Sequence, residues 1–247
     1  MKLLKKLYDK SEIIFAVAFI ITYCVLMSLG DALSEAVGIQ KSVTLPIGLL
    51  LSVLLLAFFK KHRLFSTYGI CSSKVSAREM LFYVPAILIL TANLWYGVTL
   101  NLPTVESVLY VLSMLCVGFL EEVIFRGLLF NAMKKDSEHA AIIVSSVTFG
   151  IGHIINLING SGAELVPNLL QVVYATAAGF MFVMIYVKSK SLVACITIHS
   201  VFNALSVFAN EAAMTVKDRI ISCILLTLIS GGYAIYLVLT VKNSTRS

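Results

Sequence analysis

Polar residues interrupt this chain rarely and in short clusters. Between the clusters lie eight apolar runs, at 13–29, 43–59, 80–100, 107–133, 140–158, 168–187, 192–209 and 220–241. Runs of about 17 to 25 apolar residues are what a helix needs to cross a bilayer. Because hydrocarbon offers backbone N–H and C=O groups no partner, such runs must bond internally, and unbroken helices do so. The pattern predicts an all-α fold: a polytopic transmembrane bundle of about eight spanning helices, forming one integral-membrane domain over 1–247 with no soluble domain or linker.

Composition agrees with that pattern, since 59% of the 247 residues are hydrophobic and 13% are charged, with a mean hydropathy of +0.95. An ordinary soluble domain lies far from these values. The charges also set an orientation. With both termini cytoplasmic, fifteen of the nineteen Lys and Arg residues fall in inner segments, whereas Lys41, Lys217 and Arg219 fall in outer ones. Short cytoplasmic loops carry this excess. The net charge of +6 is therefore read as topology and attraction to anionic headgroups, not as a nucleic-acid surface. The first run is long for a signal peptide and is expected to remain as a helix. The five cysteines, Cys24, Cys71, Cys116, Cys195 and Cys223, form no disulfide framework or CxxC pattern.

The nineteenth cation, Arg126, lies inside the fourth run, in CVGFLEEVIFRGLLF, together with Glu121 and Glu122. Each charge near a bilayer centre costs roughly 2.5 to 3.5 kcal/mol unless it is paired. Glu122 and Arg126 stand four apart with the acid first, the favoured helical ion pair. Glu121 points about 100° away and is left without that partner. Two further runs add polar groups: TFGIGHIINL brings His153, with Gly150 and Gly152 thinning its helix, and ITIHSVFNAL brings His199 and Asn203 on one face. Counted at the helical rise from the cytoplasmic ends, Glu121 and His153 lie about 20 Å in, Asn203 about 18 Å, and His199 and Arg126 about 12 Å. Gly231 and Gly232 in the last run are expected to allow close helix packing.

A carboxylate, two imidazoles and an amide in one layer suit hydrolysis, with water reaching them from the cytoplasmic side. One group takes a proton from water while donors stabilise the charge on a carbonyl oxygen. The same set suits a metal, and spacing alone does not choose: if zinc is the cofactor, its ligands are Glu121, His153 and His199. Other intramembrane schemes are excluded. No HExxH occurs, NGSGAE around Ser161 reads as an outer turn, and SLGD at 28–31 lacks the first glycine of an aspartyl-protease motif.

EEVIFRG (EExxxR), FGIGH (FxxxH), the stretch AGFMFVMIYVKSKSL and HSVFN (HxxxN), in that order over 116–203, together resemble the CAAX protease and bacteriocin-processing (CPBP, or Abi) family of intramembrane peptidases, in its smaller bacterial form. The resemblance implies an endopeptidase embedded in the cell membrane. It implies that Glu121 and His153 activate water, that His199 and Asn203 stabilise the oxyanion, and that Glu122 and Arg126 support the site. Family names speak of metalloproteases, although a Glu/His route needs no metal. The implied partner is a membrane-tethered peptide or protein, either CAAX-like or related to bacteriocins and signalling peptides. A non-catalytic immunity or scaffold protein that binds a peptide is the alternative, and an ion-coupled transporter is a more remote one.

Overall fold

The structure is a computed structural model that describes residues 1–81, 83–157 and 164–241. The last residue of the run at 140–158, the NGSGAE turn up to Ala163, and Lys242 and Arg246 lie outside the described residues. Among those described, the chain is helical, with a single isolated antiparallel bridge between Val98 and Ala209.

Nine helices follow in order: α1 (Lys2–Lys10), α2 (Glu12–Val37), α3 (Thr44–His62), α4 (Tyr83–Thr91, extended by a tight turn over Ala92–Leu94), α5 (Thr104–Met133), α6 (Glu138–Leu157), α7 (Leu165–Ser189), α8 (Val193–Phe208) and α9 (Val216–Thr240). Polar residues set several of the starts. The Ser11 hydroxyl accepts from the Ile14 N–H at 3.2 Å to open α2, and Ser137 accepts from Ala140 at 3.3 Å to open α6. Thr215 and Asp218 form a reciprocal capping box on α9.

Six of the helices are long and apolar enough to cross a membrane: α2, α3, α5, α6, α7 and α9. Two of the eight predicted spans are shorter than expected. At the helical rise, α4 and α8 reach about 18 and 24 Å, less than the roughly 30 Å of a bilayer core. They stop together. The Asn93 amide donates to the Phe202 carbonyl at 2.7 Å, Thr99 N–H donates to Phe208 at 3.0 Å, and Asn101 donates to the carbonyls of Val207 and Ala209 at 2.9 Å each. Backbone released where these helices end is thus satisfied within the protein. The basic helix α1 is an addition to the expected elements; nine residues rich in Lys are too short and too charged to register as a span.

Packing divides into two apolar clusters. One joins α2, α3 and the second half of α5, around Phe15, Leu55, Phe58 and Leu120; the other joins α7, α8 and α9, around Met181, Ile185, Ile198 and Leu237. Small residues draw backbones together where lipid supplies no hydrophobic drive. A Cβ on Gly118 of α5 would stand 2.6 Å from the Ser200 Cα of α8, and one on Gly150 of α6 would stand 2.8 Å from the Thr176 Cα of α7. Gly152, Gly231 and Gly232 behave differently from expectation, because a Cβ on any of them would meet nothing within 4 Å.

Candidate active site

The second half of α5 departs from α-helical geometry. From Glu122 to Phe130 the turns widen into a π-helix, and all nine residues are buried. Such segments recur at functional sites, and their carbonyls need partners. Here Asn131 donates to the Gly127 carbonyl at 2.7 Å, and Ser145 of α6 donates to the Phe125 carbonyl at 2.9 Å.

Glu122 and Arg126 form the expected ion pair, at 3.1 Å and with both side chains wholly buried. The guanidinium carbon also lies 4.1 Å from the Phe149 ring centroid and 5.5 Å from that of Phe182, so a cation–π contact replaces water on its faces. The pair carries a third member. His199 Nδ1 stands 2.8 Å from the same Glu122 oxygen that Arg126 contacts. A carboxylate beside Arg only accepts, which assigns the hydrogen to Nδ1 and leaves Nε2 for other work.

That Nε2 faces Glu121 Oε2 at 3.3 Å. The other Glu121 oxygen accepts a hydrogen bond from the Tyr23 hydroxyl of α2 at 2.7 Å. Glu121, read as left over in the sequence, therefore has two partners, and His199 bridges both acids. With its hydrogen on Nδ1, the imidazole turns Nε2 towards Oε2 of Glu121. The ring is fixed by stacking on Phe182 at 5.4 Å and by an edge contact with Phe149 at 5.5 Å.

His153 ends the regular part of α6. Its Nδ1 bonds the Phe149 carbonyl one turn back at 3.0 Å, so Nδ1 donates and Nε2 is the accepting nitrogen. Asn168 of α7 anchors the same turn by donating to the His153 carbonyl at 2.8 Å. Glu121, His153 and Asn203 all line a cavity of about 770 Å³, with Tyr23 and Phe149 on its wall. His199 sits behind them in an adjoining recess of about 50 Å³ that His153 and Asn203 share. The Asn203 side-chain amide makes no hydrogen bond among the described residues, which leaves both its donors for whatever enters.

A catalytic zinc takes three protein ligands and keeps one position open. Among the described residues no three His, Cys, Asp or Glu side chains are gathered to hold an ion. The donors of Glu121 and His199 are turned on each other and on Tyr23 and Glu122. The set does not fit a metal, and no step below runs through one.

Sequence reasoning missed Tyr23. A tyrosine in the middle of an apolar run, far from the interfacial belt, needs a partner for its hydroxyl, and that was the available signal.

A comparison with curated proteins returns no match. Residues 103–205 match the family model described as type II CAAX prenyl endopeptidase, Rce1-like, a segment that runs from the start of α5 into α8 and contains Glu121, Glu122, Arg126, His153, His199 and Asn203. Across that segment, which holds those motifs, the chain is similar to the CAAX protease family.

Proposed function

We propose that the protein is an intramembrane endopeptidase that hydrolyses a peptide bond in a membrane-associated peptide, with Glu121 as the base. The observation that carries this reading is the Glu121 carboxylate itself. It is aimed into a cavity shared with His153 and Asn203, and is steered by Tyr23 at 2.7 Å and by His199 at 3.3 Å.

In the proposed reaction, a water in the cavity gives a proton to Glu121 while the accepting Nε2 of His153 orients it. The water oxygen bonds to the peptide carbonyl carbon, and the amide of Asn203 donates to the oxyanion that forms. The Glu121 and His199 pair then passes that proton to the amide nitrogen, the C–N bond breaks, and the new carboxylic acid gives its remaining proton to the released amine, leaving a carboxylate and an ammonium. His199 is assigned to this relay rather than to the oxyanion, because both its nitrogens are engaged by carboxylates. Glu122 and Arg126 hold the imidazole. A donor aimed at an oxyanion is worth about 2.7 to 4 kcal/mol, so Asn203 has a measurable role.

The test compares membrane-associated and secreted peptides, by mass spectrometry, in cells carrying the native protein or Glu121→Gln at matched expression. A peptide left uncut only in the variant supports the protease and names its substrate. Identical profiles, with a deletion phenotype still rescued by the variant, would replace catalysis with a binding or immunity role.

A further inference from the structure

The cavity opens at one end of the bundle. From Glu121 and His153 it extends to Asp31 near the end of α2, Lys41 in the following turn, Glu211 just before α9 and Arg219 in its first turn. All of these lie at the end opposite the basic one, where α1, the α3 terminus and the turns after α5 and α7 collect their lysines. Towards the basic end the site is closed. The nine buried residues of the π-helix form its floor, and the segment at 63–76 is tied beneath them. There Leu192 N–H donates to the Gly69 carbonyl at 2.7 Å, Lys74 N–H donates to Ser189 at 2.9 Å, and the Ser191 hydroxyl donates to Cys71 at 2.5 Å. Tyr68 is 1% exposed, bonds the Tyr8 hydroxyl at 2.9 Å, and is kept protonated by burial, which raises it above the usual tyrosine range.

Positive charge marks the cytoplasmic face. We infer that the cavity opens on the outer face of the membrane and admits cationic peptides presented there, so that prenylated chains made in the cytosol do not reach Glu121. This rests on the peptidase reading for what happens at Glu121, although the route itself does not. The mouth supports the charge preference. Asp31, Glu121, Glu164 and Glu211 line the cavity against Lys41 and Arg219. Both of those cations are already paired, Lys41 with Asp31 at 2.7 Å and Arg219 with Glu211 at 3.3 Å. A cleft with an excess of one sign of charge raises the local concentration of the opposite sign.

Native cysteines supply the probes. Cys24 and Cys223 line the cavity, whereas Cys71 lies in the segment beneath the floor. A membrane-impermeant maleimide is added to intact cells, and modified cysteines are mapped by mass spectrometry, with Asn210→Cys as a second probe on the cavity lining. The expected pattern is modification of Cys24 and of the cysteine at 210 in intact cells, and of Cys71 only after permeabilisation. An apolar peptide bearing two Lys residues should slow Cys24 modification severalfold, and its counterpart bearing two Glu should not. Cys71 modified first from outside would overturn the orientation. Position 210 modified without Cys24 would overturn the route, and equal protection by both peptides would overturn the charge preference. Glu121→Gln should give the same labelling pattern, so a dead protease with this pattern would remove the proposed chemistry and leave the route standing.

Discussion

His199 and Glu122, 77 positions apart in the chain, meet at 2.8 Å inside the bundle. The imidazole is thereby joined to a carboxylate that already neutralises Arg126. Two helices, α5 and α8, are locked at this point, and the locking group is also the one that faces Glu121. Support and the proposed chemistry share a side chain.

Loss of the buried acid is expected to be felt first in folding. Glu122→Gln keeps the volume but leaves the Arg126 charge unpaired, and breaking such a pair costs about 3 to 5 kcal/mol. The thermal midpoint of the detergent-solubilised variant should fall well below that of the native protein. Arg126→Lys should not behave as native, because a compact ammonium cannot both reach Glu122 and lie flat against Phe149 at 4.1 Å. A native midpoint for Glu122→Gln would show that the pair does not hold the site.

Tyr23→Phe separates aim from fold. The ring stays packed, and the bond to Glu121 is lost. Hydrogen bonds to charged groups contribute about 1.5 to 3 kcal/mol, so processing should slow by roughly 10- to 100-fold, with a modest fall in melting midpoint because the bonded Glu121 oxygen loses its partner. Unchanged processing would mean that Glu121 is aimed without help from α2.

Much of this site can be read along the chain because its spacing is local. Glu122 and Arg126 are four apart, as are His199 and Asn203, and helical geometry links each pair without further information. Contacts between distant segments were not readable in this way. Tyr23 reaches Glu121 across 98 positions, and His199 bridges two acids because Gly118 admits Ser200, a packing detail with no periodic signature. Hydropathy also fails to separate a spanning helix from one that stops early, which is why α4 and α8 were expected to cross. Their common end leaves the space where the cavity opens, and so the expected approach of water from the basic end gives way to one from the opposite end.

Gly118→Ala tests that packing. Its Cβ would press on the Ser200 backbone at 2.6 Å, and overpacking costs about 1 to 3 kcal/mol. Moving α8 off α5 also separates His199 from both acids, so activity should fall further than stability. Gly232→Ala, with open space around it, is the matched control and should change neither readout.

Asn203→Ala should show the opposite balance from Glu122→Gln. The Asn203 amide holds nothing together among the described residues, so stability should stay within about 0.5 kcal/mol of native, as for substitutions away from structural features. Turnover should drop by about 100- to 1,000-fold if the amide meets the oxyanion. Full activity would remove Asn203 from the reaction.

Metal removal addresses the remaining chemical choice. To ligate zinc, Glu121 would have to release Tyr23 or His199, and His199 would have to turn one nitrogen away from a carboxylate held at 2.8 Å. His153 would still have to swing its accepting nitrogen towards both. Giving up those bonds inside a membrane is costly, since each freed group stays buried without a partner. Purified protein should therefore carry far less than one zinc per chain by elemental analysis, and 1,10-phenanthroline should leave peptide processing unchanged. Activity lost to the chelator and restored by added zinc would overturn this expectation. It would also require the Glu121 and His199 contact to open when the ion binds, a change that Tyr23→Phe should then make easier.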